Sequence, residues 1–553
     1  MLSRIVRAAP AAATTVVARA GDEIAYLRAL VDAGFVRADR PATVAAALRA
    51  IRAEGPLGAA LALPVARHPQ RTAIVDERGA TTFAELDRRT NALANAWRAR
   101  GARPGDGVGL MIRNHAGFVE ALFAVSKLGG RAILMNTDFA GPQLAEVAAR
   151  EGVRLLAFDD EFADHVTGVD APLGRFRAWV EREGDVPGAD GTLDELIASA
   201  PATRPPAPGE HASLIILTSG TTGTPKGARR QQPKSLSTLG GLLTSVPLRS
   251  EQATVIATPM FHALGLAHAI LAVGLGSTLV LRRRFDPALA VEDVARHRAS
   301  GLIVVPIMLR RFLDAHDEAG RTADLSSLRV VFVAGSQLGG SLATRALDTL
   351  GEVVYNLYGS TEVAYATIAE PHHLRIAPDA VGPVVRGARV RILDDDGRDV
   401  PTGVTGRVFV GNGIPFEGYT GGGGKENVGG LLSSGDVGHF DEHGLLTIDG
   451  RDDDMIVSGG ENVFPGEVEE LLAGHDLIAE AAVVGVDDEQ FGKRLRAYVV
   501  LREGARLDEQ GVQQLVRENL ARYKVPREVR FLDELPRNPT GKVLKRELED
   551  VPA

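Results

Sequence analysis

From Gly107 onward short apolar runs alternate with helix-period segments, and this alternation limits the fold more than any other feature of the chain. Gly107–Ile112, Arg131–Met135 and Arg154–Phe158 read as strands, with helices over Gly117–Lys127 and Pro142–Ala149 between them. The pattern resumes with Thr254–Ala257, Leu302–Pro306, Leu328–Ala334 and Val353–Leu357, so an α/β body with two parallel-rich layered sheets is expected. Upstream, Arg71–Val75 and Thr81-Thr82 flank a hairpin turn at Asp76-Glu77-Arg78-Gly79. Thr82-Phe83-Ala84-Glu85 then has the form of a capping box opening a helix that ends at Gly101.

From Gly382 the rhythm shortens to strands separated by Gly, Pro and Asp turns, such as Val390–Leu393 and Gly406–Val410, as in a small β-barrel or distorted sheet. Gly421–Gly430 is glycine-dense and reads as a mobile surface loop. Four consecutive charged residues, Arg451-Asp452-Asp453-Asp454, mark a hinge, after which helix and strand alternate over Pro465–Ala473, Ala481–Val486, Leu495–Leu501, Leu507–Leu520 and Glu528–Leu532. The expected organisation is a leader and helical extension over 1–70, a large domain over 71–450 with the barrel-like part at 382–450, and a mobile α+β domain over 451–553.

A chain of 553 residues is too long for one ordinary core. Its 45% hydrophobic and 24% charged content suits a globular enzyme, and its net charge of -9 offers no general attraction to nucleic acid, so anionic ligands must be held by local groups. The absence of cysteine excludes disulfides, thiolate metal sites and a cysteine nucleophile, and fits a reducing cytoplasm. Met1–Ala20 carries Arg4, Arg7 and Arg19 with no acid; it has the form of a loosely ordered leader, a transit peptide or a surface-seeking helix in peripheral contact with a membrane. Leu264–Leu281 is apolar but broken by His268 and three glycines, which suits a buried helix and strand better than a membrane span. Oligomeric state is not legible.

Two distant motifs carry the chemistry. Leu217-Thr218-Ser219-Gly220-Thr221-Thr222-Gly223-Thr224-Pro225-Lys226-Gly227 follows the apolar run Ala212–Leu217, so its amides and hydroxyls can surround an anion while Lys226 neutralises charge. Lys226 precedes a glycine instead of following one, which departs from a Walker A loop and points to a different ATP chemistry. Asn538-Pro539-Thr540-Gly541-Lys542 is a turn that projects Lys542 from a domain tip, although an exposed lysine is ordinarily only solvated.

Three further elements belong with these. Tyr358-Gly359-Ser360-Thr361-Glu362 sits at the end of a strand, where open α/β sheets bind ligands. Tyr358 offers a ring for a purine, Thr361 a hydroxyl for phosphate, and Glu362 a hard oxygen for Mg²⁺; a core tyrosine and a helix-start acid are the structural alternative. Asp436 in Ser434-Gly435-Asp436 can accept ribose hydroxyls or simply make an Asx turn, and Arg451 can hold ribose or phosphate or lie solvated.

These motifs in this order, with Gly450–Glu467 reading GRDDDMIVSGGENVFPGE, resemble the adenylate-forming superfamily over about Arg71–Leu548, and within it bacterial fatty-acyl-CoA synthetases. The resemblance implies that a carboxylate attacks the α-phosphate of ATP, giving acyl-AMP and pyrophosphate, and that the thiol of coenzyme A then displaces AMP. It implies that Lys542 bridges carboxylate and α-phosphate, that Glu362, with Thr222, holds Mg²⁺, and that Asp436 and Arg451 bind ribose beside Tyr358 and Gly359. Thr218, Ser219, Gly220, Thr221, Thr222, Gly223 and Lys226 would orient the outer phosphates. His262, in Pro259-Met260-Phe261-His262, would lie beside the substrate carboxylate and the thiol tunnel; its alternative is a hydrogen-bonded core histidine. Gly335, Ser336 and Val363 would line the acyl pocket, Ser458, Gly459 and Gly460 the coenzyme A tunnel, and Asp453 would be the pivot of the C-terminal domain.

The implied substrate is a medium- to long-chain fatty acid, since Gly335, Val363 and Ala364 are small, with aryl or steroid-side-chain acids next. A carrier protein in place of coenzyme A, or a nucleotide-gated binding module without turnover, are the competing readings. Leu338-Gly339-Gly340-Ser341-Leu342 has a superficial likeness to a carrier's pantetheine serine site, but it lies between two core strands.

Overall fold

Strands that are apolar throughout need cover on both faces, and Gly107–Met111 is buried at every position. The computed structural model describes residues 21–549 except 183, 185, 219–225, 231–236, 414–415, 421, 423, 453–455, 459–460, 489–491 and 540. The chain divides into two units, one of Met1–Val304, Arg311–Phe332 and Gly413–Gly424, the other of Val305–Arg310, Val333–Asn412 and Lys425–Ala553.

The first unit holds the expected α/β layers. One sheet runs Phe416–Tyr419, Lys226–Arg230, Ser213–Thr218, Arg131–Leu134, Gly107–Met111, Val153–Asp159, Arg175–Trp179. The last five strands are parallel, and the first two add to them antiparallel. A second sheet runs Gly79–Thr82, Thr72–Asp76, Thr278–Leu281, Ala253–Ile256, Gly301–Val304 and is parallel after its opening hairpin. Leu264–Leu281 resolves into the helix Ala263–Gly274 and the strand Thr278–Leu281. Among the described residues no helix is long and apolar enough to cross a membrane.

Capping chemistry departs from expectation in one place. Thr82 accepts from the Glu85 amide at 3.2 Å, but the Glu85 carboxylate turns to Arg88 at 2.7 and 2.8 Å, so only half of the box forms. A complete box forms at Thr192–Glu195. Helices over 21–32 and Pro41–Arg67 precede the first strand, the second kinked at Gly55 (φ 76°). The leader Met1–Ala20 lies outside the described residues.

In the second unit the strand Val354–Tyr358 pairs antiparallel with Thr367–Ala369, a reversal that the βα alternation did not announce. An antiparallel sheet follows, in the order Arg389–Leu393, Gly406–Gly411, Leu431–Phe440, Asn427–Val428, with Leu446–Arg451 on the far part of Leu431–Phe440. Part of the segment expected as a surface loop is therefore sheet: Asn427–Val428 pairs with Leu431-Leu432 around Gly429 and Gly430, whose φ values of 59° and 83° suit a tight reversal. The C-terminal α+β element is as expected. Pro465–Ala473 and Glu509–Asn519 pack on strands Ile478–Asp488, Gly492–Leu501 and Glu528–Phe531 through Val468, Leu472, Val483, Val499, Val512 and Val516.

Candidate active site

Within the second unit, three stretches far apart in sequence converge. Tyr358 ends its strand and donates its hydroxyl to Asp436 Oδ2 at 2.6 Å. Asp436 and Arg451 are register partners across the hairpin Leu431–Phe440 and Leu446–Arg451, with Arg451 Nε 3.9 Å from Asp436 Oδ1. Burial pushes the Asp436 carboxyl above the ordinary carboxylate range, while the Tyr358 hydrogen bond and the charges of Arg451 and Lys542 pull it down. The Tyr358 phenol is driven well up by burial and by the Asp436 carboxylate. The hydroxyl of Tyr358 thus has a definite task, which the sequence reading, concerned with its ring, did not foresee.

The turn that carries Asp436 is built for close approach. Ser434 accepts from the Asp436 amide at 3.1 Å and donates to the Val408 carbonyl at 3.0 Å. Gly435 is left-handed (φ 83°), and a Cβ there would sit 3.4 Å from Lys425 Nζ and 3.5 Å from an Arg451 nitrogen. Two cationic side chains therefore flank the Asp436 turn.

After Tyr358 the backbone folds back on itself. A Cβ on Gly359 would lie 1.9 Å from the Ala364 carbonyl oxygen, and Ala364 is itself left-handed at φ 58°. Ser360 holds this turn: its hydroxyl accepts from the amides of Glu362 and Val363 and donates to Glu362 Oε2 at 3.0 Å. Thr361 lies inside the turn, and Val363 is buried with its carbonyl bonded by Asn412. Gly335 and Ser336 are exposed, Gly335 at φ 99° with Val305 beside it.

Lys542 is exposed on a turn closed at both ends by Asn538, whose side chain accepts from the Lys542 amide at 2.9 Å and whose amide donates to the Lys542 carbonyl at 2.9 Å. Gly541 is left-handed (φ 76°), and a Cβ on it would meet Ile307 at 2.4 Å and Val305 at 3.2 Å. The turn is thus seated against Val305 and Ile307, with Lys542 close enough to influence the Asp436 carboxyl. Thr540 lies outside the described residues.

The first unit holds the ends of the glycine- and threonine-rich loop. Ser213–Thr218 and Lys226–Arg230 are antiparallel with Thr218 opposite Lys226, so a strand follows the motif, where a Walker A loop leads into a helix. Ser219, Gly220, Thr221, Thr222 and Gly223 lie outside the described residues, as do Asp453, Gly459 and Gly460. Ser458 is paired with Gly492 in the C-terminal sheet. Gly227 fixes the root of that strand: its amide donates to Thr420 at 3.1 Å, the Thr420 hydroxyl donates to Glu151 at 2.6 Å, and a Cβ on Gly227 would strike Ile215 and Thr420 at 2.8 Å.

His262, also in the first unit, precedes the helix Ala263–Gly274 and stacks on Phe261 with ring centroids 4.3 Å apart. Its Nε2 is buried without a hydrogen-bond partner, and burial lowers its pKa to about 4, so the ring is neutral near pH 7. The buried Asn114 fastens the approach to it: its amide donates to the Ile256 and Thr258 carbonyls at 3.2 and 2.8 Å, and its oxygen accepts from Met260 at 2.8 Å.

Asn114, Ser360 and Thr420 were passed over as site residues in the sequence. Asn114 and Thr420 take partners 142 to 269 residues away, which no local pattern announces, whereas Ser360 braces its own turn through Glu362 and Val363.

Comparison with known proteins identifies the family. Residues 61–420 match the family model of the AMP-binding enzyme, and residues 467–542 that of the AMP-binding enzyme C-terminal domain. The chain is 34% identical over 485 residues to a feruloyl-CoA synthase of Amycolatopsis, covering 87% of this chain and 96% of that protein. It is 31% identical over 502 residues to a fatty acid–[acyl-carrier-protein] ligase of Streptomyces coeruleorubidus, covering 87% and 93%. Its fold matches the o-succinylbenzoate CoA synthetase of Bacillus subtilis in complex with its acyl-adenylate intermediate, with a TM-score of 0.78, 27% identity and coverage of 89% and 98%. With both family models matched in order and the relatives spanned nearly end to end, the chain belongs to the AMP-binding, adenylate-forming enzyme family of acyl- and aryl-CoA ligases.

Proposed function

We propose that the chain is an AMP-forming acid–thiol ligase: it joins a carboxylic acid to AMP at the expense of ATP, then passes the acyl group to coenzyme A. The supporting observation is the meeting of Tyr358, Asp436, Arg451 and Lys542, brought from three separate stretches of chain to one point.

In the first half-reaction a carboxylate oxygen attacks the α-phosphorus and pyrophosphate leaves with the bonding pair. Two anions approach each other, so positive charge must be aimed at the reacting oxygens beforehand. Lys542 supplies it between carboxylate and α-phosphate, while Asp436, oriented by Tyr358 and Arg451, accepts the ribose hydroxyls. The glycine- and threonine-rich loop with Lys226 holds the outer phosphates. In the second half the thiol sulfur attacks the acyl carbon and AMP leaves; a neutral His262, with an uncommitted Nε2, is placed by this reading next to the acyl group.

A Mg²⁺ bound together with the nucleotide would be held by Glu362 with Thr222, the latter outside the described residues. Glu362, its carboxylate steadied by Ser360, is a fitting hard ligand for such a shared ion. The ion would neutralise charge on the leaving pyrophosphate.

For the acid we favour an apolar acyl body. A feruloyl-CoA synthase among the relatives moves aryl and other ring-bearing acids ahead of the medium- to long-chain fatty acids that small residues at Gly335, Val363 and Ala364 suggest. A carrier-protein acceptor is the second reading, favoured by the Streptomyces relative. The domain after Asp453 would swing to withdraw Lys542 between the two halves.

The decisive measurement is carboxylate-dependent pyrophosphate release over a panel of aryl and fatty acids, with coenzyme A and a carrier protein offered as acceptors. Lys542→Ala should lower acyl-AMP formation about 10²- to 10³-fold. An undiminished rate would remove Lys542 from the chemistry.

A further inference from the structure

Helix Gly340–Leu350 begins with Gly339 and Gly340 and has no side-chain cap of its own. Its N-terminus is capped from elsewhere. Glu470, on helix Pro465–Ala473 of the C-terminal α+β element, accepts from the Gly340 amide at 2.7 Å. Asp379 lies over the same helix start: a Cβ on Gly340 would fall 2.7 and 3.0 Å from its two carboxylate oxygens. The Glu470 and Asp379 carboxyls thus meet over the same helix start, close enough for Asp379 to raise the Glu470 carboxyl. Two carboxyls brought this close repel each other when both are charged, which favours a proton on Glu470.

We infer that Glu470 and Asp379 form a carboxyl latch on helix Gly340–Leu350 that holds the C-terminal element in the position from which Lys542 reaches the Asp436 pocket. Glu470 is on this account a positioning residue. The inference rests on the ligase reading for its kinetic consequence, though not for the contact itself.

Other features agree. The first turn of Pro465–Ala473 lies against the same segment, since a Cβ on Gly466 would sit 3.2 Å from Gln337 Oε1. Phe464 packs on Gly450 in the same way, 2.9 Å from where a Cβ would be. The neighbouring acids on the helix are committed elsewhere, Glu467 to Lys524 and Glu469 to Lys545 at 2.7 Å. The groups facing Glu470 are Asp379 and the Gly340 amide. Burial first, then the facing Asp379 carboxyl, raise the Glu470 carboxyl to about 8, against a smaller lowering by the Gly340 amide.

The sign follows from proton linkage. A carboxyl whose pKa is raised by docking takes up a proton as it docks, so docking is firmest below the ordinary carboxylate pKa. It weakens as pH rises towards about 8, and changes no further above that. A mildly alkaline medium would therefore loosen the arrangement used for acyl-AMP formation and favour release of the C-terminal element.

The chain's lack of cysteine permits a direct test. In a Gln337→Cys, Gly466→Cys double variant, a short thiol crosslinker should capture the docked form without any substrate. Adding Glu470→Ala should reduce capture several-fold near pH 6, and adding Glu470→Gln, which keeps an acceptor for the Gly340 amide but cannot ionise, should hold capture steady. Between about pH 6 and pH 9, capture relative to the Glu470→Gln background should fall. Equal pH dependence in the two backgrounds, or no loss with Glu470→Ala, would overturn the latch.

With an accepted acid in hand, Glu470→Ala should slow acyl-AMP formation but spare thioester formation from supplied acyl-AMP; equal loss in both would also overturn it. If no acid is activated, the ligase reading fails while the crosslinking arm still decides the latch.

Discussion

Asp436 and Glu470 are both carboxyls withdrawn from water, and burial pushes both above the ordinary range, yet their surroundings have opposite sign. Asp436 faces Arg451 and Lys542 and takes a hydrogen bond from Tyr358. Glu470 faces a second acid and a backbone amide. The same desolvation is therefore opposed by cations and a hydrogen bond at Asp436 and reinforced by a second acid at Glu470. Depth sets the main shift at both sites, and the charge across from each carboxyl decides whether that shift is opposed or extended.

The comparison is most severely tested by Asp436→Ala. It removes the ribose acceptor and leaves Arg451 without that carboxylate, so the KM for ATP should rise about 10- to 100-fold, measured by pyrophosphate release at fixed acid. An unchanged KM would strip Asp436 of its role.

Gly340→Ala should have an intermediate effect. The new methyl falls on Asp379 and disturbs the latch without altering a titrating group. Acyl-AMP formation should drop several-fold with thioester formation from acyl-AMP unaffected, in quench-flow measurement of each half.

Tyr358→Phe is the mildest case. Losing its hydrogen bond lets the Asp436 carboxyl rise further, so the acid-side loss of ATP affinity should move to higher pH, with a several-fold change in KM near neutrality. A pH profile that coincides with wild type would show that the hydroxyl does not tune the acid.

The strands, the hairpin at Asp76–Gly79 and the buried helix at 263–274 were legible because apolar periodicity is local. The nucleotide motifs were legible as motifs, but their assembly was not. Asp436 and Arg451 face each other only because their strands pair through a shifted register, which depends on backbone bonds along the whole hairpin. The strand at Asn427–Val428 hid inside a glycine-rich stretch whose composition signals a loop. Glu85 preferred Arg88 to its own helix start, a competition between two good partners that spacing alone does not settle. Glu470 gave no signal at all, since an acid on a helix is ordinarily solvated and its helix-capping partner lies 130 residues away.

The Lys542 turn, pinned twice by Asn538 and wedged by Gly541 on Val305 and Ile307, has a kinetic consequence. The pinned turn fixes the Lys542 backbone, so its ammonium can move no further from the pocket than the length of its own side chain unless the turn itself moves. In the proposed cycle the lysine leaves only when its whole carrier lifts off, and each catalytic round then includes one mechanical stroke out and one back. Turnover can run no faster than that stroke, however reactive the acid.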